Sequence, residues 1–229
     1  MMMSRTIDVP DVEGFARPRT RREFFRALAL AGAGAAAGTA VLAAPASAQS
    51  GDVDIANFAL TLEYLEAEFY ARAVDSGVLS GDVVGIVQNL ADHEQQHVDA
   101  IVGLLQQAGA EPVEKPQFTF PADAFSSQDS ILNLANTFEP VGVGAYLGAA
   151  PLIQSPDILA AAGSIAGVEG EHVVTIRNVL GLLPAANEAF PQALSREEVL
   201  AAVAPFLGMG AMMDTGGPAR VEKGNYRAL

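Results

Sequence analysis

Glu94 and His97 stand three residues apart, and so do Glu169 and His172. Three residues are a little less than one helical turn, so in a helix each carboxylate and its imidazole share a face and can serve one metal site. Both pairs sit inside apolar stripes. Val83, Val87 and Leu90 precede the first and Ile101, Leu104 and Ala108 follow it; Ile158, Ala162 and Ile165 precede the second and Ile176, Val179 and Leu183 follow it. Alternating steps of four and three mark the inward stripe of a bundle helix, so Glu and His occupy core positions. Two further glutamates have a tyrosine partner at equal distance: Glu63 precedes Tyr70 and Glu139 precedes Tyr146, seven residues in each case. Seven residues fall about 20° short of two turns, which stacks Glu and Tyr on one face. The stripes Ala56, Leu60, Glu63, Ala67, Tyr70, Val74 and Leu132, Ala135, Glu139, Val143, Tyr146, Ala150 read as inward too. The unit Glu-x6-Tyr followed by Glu-x2-His thus occurs twice, with 31 residues between its glutamates in one copy and 30 in the other, as a duplicated helical hairpin requires.

Burying four carboxylates and two imidazoles costs several kcal/mol per unpaired ion. The helices offer little basic compensation: Arg72 and Arg177 are their only Arg or Lys, and both fall off the inward stripes. Two divalent cations would cancel the four carboxylates, and six ligands from four facing helices form the ligand set of carboxylate-bridged bundle sites. The chain has no cysteine, so thiolate ligands, thiol nucleophiles and disulfides are excluded and metal must be held by carboxylate and imidazole.

The elements that must carry these residues follow from breaks in the pattern. Helices are predicted over 52–75 and 81–108, with a connection so short that they form an antiparallel hairpin. Residues 109–126 hold three prolines and Phe118, Phe120 and Phe125, and read as a long crossover with some apolar anchoring. Helices over 127–149 and 157–182 form the second hairpin, with Pro151 and Pro156 between them. Ser195 to Glu198 is a capping box that opens a short helix predicted over 196–207. Glu139 precedes Pro140, which predicts a kink or a later helix start. Gly142, Gly144 and Gly148 loosen the third helix by about 1 kcal/mol each relative to Ala, and point to an opening toward the metals or to close helix packing.

These motifs resemble the ferritin-like superfamily of ferritins, bacterioferritins, rubrerythrins and manganese catalases, and within it the secreted bacterial ferritin-like proteins related to desiccation-associated proteins. The resemblance covers about residues 52–183. It implies an all-α fold, a four-helix bundle with one long crossover and a short C-terminal helix. It further implies Glu63 and Glu139 as terminal ligands, Glu94 and Glu169 as bridges, His97 and His172 capping one metal each, and Tyr70 and Tyr146 just behind the ligands as candidates for catalysis. The residues before the bridging glutamates are His93 and Val168, so the Asp found there in some oxygen-activating relatives is missing. Glu66 rivals Glu63, but Glu63 is preferred for its partner Tyr70. Glu66, Glu68, Glu171 and Asp99 read as solvated, and His93, turned about 100° from Glu94, reads as surface.

Upstream, Arg21 and Arg22 precede an uncharged Ala/Gly/Leu run over 27–44, and Ala46, Ser47 and Ala48 have the small-x-small form of a cleavage site. Residues 1–48 therefore read as a twin-arginine export signal, 49–208 as the bundle domain and 209–229 as a flexible tail, with a periplasmic or extracellular destination and no lasting membrane anchor. Removing the signal leaves seven basic and 23 acidic side chains. Nucleic acid and anionic membrane are poor partners for such a chain. The expected chemistry is that of two iron ions acting on Fe(II), oxygen or peroxide, with two manganese ions disproportionating peroxide as the alternative. A non-enzymatic envelope or desiccation and stress-protection protein with a structural metal is the reading from a different class. A homodimer is expected by analogy alone.

Overall fold

The computed structural model describes residues 46–185 and 188–208, with side chains from Ser50 onward. The charged and apolar parts of the expected export signal and the expected tail lie outside the described residues. Four long helices follow one another: α1, Ala46–Asp75; α2, Asp82–Gln107; α3, Gln128–Ala149; and α4, Pro156–Val179. A short α5, Arg196–Val203, completes them. α1 packs chiefly on α2 and α3 on α4, which is the pair of hairpins joined by one long crossover that the punctuation predicts. No described helix is long and apolar enough to cross a membrane.

Local chemistry explains the boundaries. Ser127 and Ser155 cap α3 and α4 by accepting from the backbone N–H groups of Ser130 and Ile158. Ser195 and Glu198 form the reciprocal capping box at the start of α5. α1 begins at Ala46 rather than at Asp52, so it runs across the expected cleavage point after Ala48. α4 stops at Val179, short of the expected Leu182, because Gly181 takes a φ of 71° and its N–H turns back to Asn178 O. Leu183, expected to end the inward stripe, is consequently 76% exposed. α5 ends at Val203, and Pro205 sits in a 3-10 turn, Ala204–Phe206, instead of continuing the helix to Leu207.

α3 runs unbroken through Pro140, so neither a break nor a late start accompanies the missing N–H. Of the three glycines in α3, two are sites of close packing. Leu194 N–H donates to Gly144 O at 2.9 Å, and a Cβ on Gly148 would lie 1.8 Å from Leu194 O. The segment before α5 thus lies directly on the backbone of α3.

The crossover is anchored as its phenylalanines suggest. Phe118 is buried and pairs with Leu207 in an isolated antiparallel bridge, and Phe120 and Phe125 pack on Phe69. Phe138 and Phe206 meet edge to face at 4.7 Å. These rings belong to one apolar cluster, with Leu65, Tyr70, Leu90, Ile131 and Ile176; a second cluster holds Leu60, Val98, Ile101, Tyr146 and Ile165. On α2 and α4 the change from one cluster to the other falls at the Glu and His pair, and on α1 and α3 it lies within two turns of the glutamate. Glu94 separates Leu90 from Val98, and Glu169 separates Ile165 from Ile176. A polar layer therefore crosses the middle of the bundle with apolar packing above and below.

Candidate metal centre

The six predicted ligand side chains converge in that layer. Glu63, Glu94, Glu139 and Glu169 are at most 1% exposed, and His97 and His172 are buried. They form two groups, Glu63, Glu94, His97, Glu169 and Glu94, Glu139, Glu169, His172, each offering one donor atom per residue within 4.8 Å. Metal–donor distances are about 2.0–2.2 Å, so donors on opposite sides of one ion lie about 4 Å apart, and each group can close on an ion by small side-chain movements. Glu94 and Glu169 belong to both groups, while each group has its own end glutamate and histidine. This is the division into shared and terminal residues that the resemblance implied.

The donors point inward. His97 Nδ1 lies 3.2 Å from Glu63 Oε2, 3.1 Å from Glu94 Oε2 and 3.2 Å from Glu169 Oε1. His172 Nδ1 lies 2.9 Å from Glu94 Oε1 and 3.2 Å from Glu139 Oε2, yet it is aligned with neither as a hydrogen bond. Among the described residues, six buried side-chain atoms have no hydrogen-bond partner, and five belong here: Glu94 Oε1, Glu139 Oε2, both oxygens of Glu169, and His172 Nδ1. Buried polar atoms are rarely left so, and a concentration of them around one point is the signature of a cation site. Oxygen and imidazole donors in a carboxylate-rich set suit iron or manganese, so the residues fit a metal pair.

Tyr70 and Tyr146 brace the layer crosswise. The Tyr70 hydroxyl donates to Glu139 Oε1 and the Tyr146 hydroxyl donates to Glu63 Oε1, so each hairpin's tyrosine fixes the other hairpin's terminal glutamate. Burial, followed by the charge of the glutamate each one faces, pushes both phenols well up, and they remain neutral donors.

Two residues read as solvated in the sequence belong to this region. Glu66 is 4% exposed, and burial followed by the charges of Glu139, Glu94 and Glu63 pushes its carboxyl well above the usual range. It stands where Gly142 of α3 leaves space: a Cβ there would lie 3.5 Å from Glu66 Oε1 and 3.0 Å from Glu169 Oε2. Gly142 thus makes room for carboxylates, a role different from that of Gly144 and Gly148. The clue in the sequence was the position itself, because Glu66 is three residues from Glu63, on an adjoining part of the same helix face. His93 is half-buried rather than surface, and its Nδ1 is hydrogen-bonded to His172 Nε2 at 3.0 Å. It lines a solvent cleft of about 380 Å³ between α2 and α4 with Asp82, Asn89, Glu171, His172 and Thr175. Glu171 and Asp99 are exposed, as expected. Glu68 is partly covered and paired with Arg72 and Lys115. Asp52, although buried, accepts from the N–H groups of Gln154 and Ser155 at 2.9 and 2.7 Å and ties α1 to the turn before α4.

Electrostatically the layer stores protons. Burial raises Glu63 to about 7 against the opposing hydrogen bond from His97, and burial followed by the charge of Glu94 raises Glu169 well above the usual range. Burial opposes the charge of Glu94 as well, but the close imidazoles of His172 and His97 prevail and lower it to about 2. Burial likewise disfavours charge on the histidines, yet their carboxylate neighbours prevail and raise His97 to about 9 and His172 to about 10. Protons on these groups occupy the place that metal charge can fill.

An all-α bundle with one long crossover around a buried carboxylate and imidazole cluster able to hold metal defines the class of protein. Residues 51–182, more than half of the chain, match the ferritin-like domain family, and the chain belongs to it. Among curated proteins, none matches the chain.

Proposed function

We propose that this chain is an exported ferritin-like protein whose bundle holds a carboxylate-bridged pair of iron ions and carries out redox chemistry with Fe(II), oxygen or peroxide. The observation that carries the reading is the convergence of five partnerless buried donor atoms on one point between two overlapping four-residue groups. Such a pair supplies Lewis acidity and a redox couple toward a small oxidant. In this reading Glu94 and Glu169 are shared by both ions, Glu63 and His97 hold one, and Glu139 and His172 hold the other. Tyr70 and Tyr146 keep the terminal glutamates oriented. Glu66 is a fifth carboxylate, in excess of what two divalent ions neutralise, and lies beside Glu169 where Gly142 leaves room. The apolar clusters cover the layer above and below. Export is supported by Arg21 and Arg22, the uncharged run after them and the small residues at 46–48.

Elemental analysis of protein purified without a tag, followed by Fe(II) oxidation and peroxide consumption assays, tests the reading. About two iron ions per chain with Fe(II) or peroxide turnover is the expected result. Manganese with peroxide disproportionation would replace iron by the alternative pair. Zinc alone would favour the envelope scaffold with a structural metal, and less than one ion per chain after reloading would leave the two-metal reading itself without support.

A further inference from the structure

The two end histidines do not have equal support. His172 Nδ1 faces the carboxylates, and its other nitrogen, Nε2, meets Nδ1 of His93 at 3.0 Å. The two rings are 15° from parallel with centroids 5.3 Å apart. The N···N contact plus one ring radius at each end accounts for that whole separation, so the rings lie edge to edge along the hydrogen bond rather than one over the other. At the other end His97 also turns Nδ1 to the carboxylates, but the residue of α4 that matches His93 in register, one before the shared glutamate, is Val168. Valine has no hydrogen-bonding side chain, and among the described residues no hydrogen bond reaches His97 Nε2.

A ligating imidazole whose second nitrogen is hydrogen-bonded is held in one tautomer and one orientation, with its lone pair directed at the metal. We propose that His93 is a positioning residue for the metal position at Glu139 and His172 and that it makes the two positions unequal, this one binding more tightly than the position at Glu63 and His97. His93 accepts the Nε2–H of His172 and thereby reserves Nδ1 for the ion. The inference rests on the two-metal reading above. His93 and His172 both line the cleft between α2 and α4. The Glu63 end is backed through Tyr146 by a small apolar cavity that Ile101, Leu62 and Ile165 also line.

Co(II) titration of the metal-free full domain, followed by absorbance and calorimetry, tests this. The wild type should bind two ions in two resolved steps. His93→Phe should weaken one of them by about 10- to 100-fold, the usual effect of losing such a partner, and leave the other within about 2-fold. His93→Asn places an acceptor oxygen as many bonds from the backbone as the lost Nδ1, and should return the affected step to within about 3-fold of wild type. In a Glu139→Ala background, where only the Glu63 position remains, His93→Phe should change nothing. If His93→Phe does not fold, His93→Val, which copies α4, takes its place. Equal weakening of both steps, no weakening of either, or failure of Asn to rescue overturns the inference while leaving the two-metal reading intact. A wild type that takes up no Co(II) overturns that reading first.

Discussion

The two helical hairpins carry the same candidate ligands and differ at nearly every position beside them. Glu63 and Tyr70 in α1 match Glu139 and Tyr146 in α3, and Glu94 and His97 in α2 match Glu169 and His172 in α4. In the same registers Glu66 faces Gly142, Glu68 and Arg72 correspond to Gly144 and Gly148, and His93 corresponds to Val168. The six candidate ligands are thus duplicated, and the side chains packed beside them have diverged. The difference teaches that the symmetry belongs to the buried carboxylates and imidazoles of the layer, while the packing and hydrogen bonds beside them, such as that of His93 to His172, belong to single ends.

The comparison can be broken most severely at the shared residues. Glu94→Ala or Glu169→Ala should abolish binding of both ions, whereas Glu63→Ala or Glu139→Ala should leave one ion bound. Metal counts per chain after dialysis decide this, and two ions retained by Glu94→Ala would contradict the assignment of shared ligands.

Protonation sharpens it next. In the metal-free protein, His97 and His172 have folded values of about 9 and 10 against 6.5 for the free side chain. The folded state therefore binds more protons, so their contribution is fully present below pH 6.5 and is lost as pH rises through 9 to 10. Glu63, raised to about 7, acts in the same direction between 4.5 and 7. Glu94, lowered to about 2, contributes stability present above 4.5 and lost as pH falls toward 2. Stability of the metal-free domain should thus peak near pH 4.5 to 5 and fall by about 3 kcal/mol or more by pH 10. Denaturant melts across that range check the slope. Loading metal should release protons and reverse the alkaline decline.

Smaller effects separate the hairpins away from the metal. Gly148→Ala places a Cβ 1.8 Å from Leu194 O and must push the segment before α5 off α3, at a cost of about 1–3 kcal/mol. Arg72→Ala at the matching position of α1 removes an exposed pair with Glu68 and the stacking of the guanidinium over Phe120, 5.2 Å from the ring centre, and should cost about 1 kcal/mol or less. Thermal melts of the two variants compare them directly.

The smallest difference expected lies between Tyr70→Phe and Tyr146→Phe. Each removes one donor to a terminal glutamate, and both should cost the same, about 1–2 kcal/mol, because the two bonds mirror one another. A cost confined to one of them would show that the hairpins have diverged at the tyrosines as well.

Much of this was legible in the residues. Four helices, one crossover and the six candidate ligands follow from period, punctuation and the two repeated motifs, because a ligand in an apolar stripe carries its burial with it. The capping box at Ser195 is equally local. Glu66 and His93 were not legible, since each lies just off the stripe and its burial depends on what the neighbouring helix offers: the missing side chain of Gly142 in one case and the far nitrogen of His172 in the other. Pro140 did not bring the later helix start that it allowed. A proline breaks a helix only where tertiary packing does not hold it, and Phe138, Glu139 and Val143 are all buried in place.

The sequence by itself determined which side chains enter the core, because helical periodicity and hydrophobicity act along one chain. Only the tertiary structure decided how those side chains pair across helices: Tyr70 with Glu139, Tyr146 with Glu63, His93 with His172. Those contacts join residues separated by 69, 83 and 79 positions, and the relative rotation of packed helices that brings them together is set by the shape of the whole core.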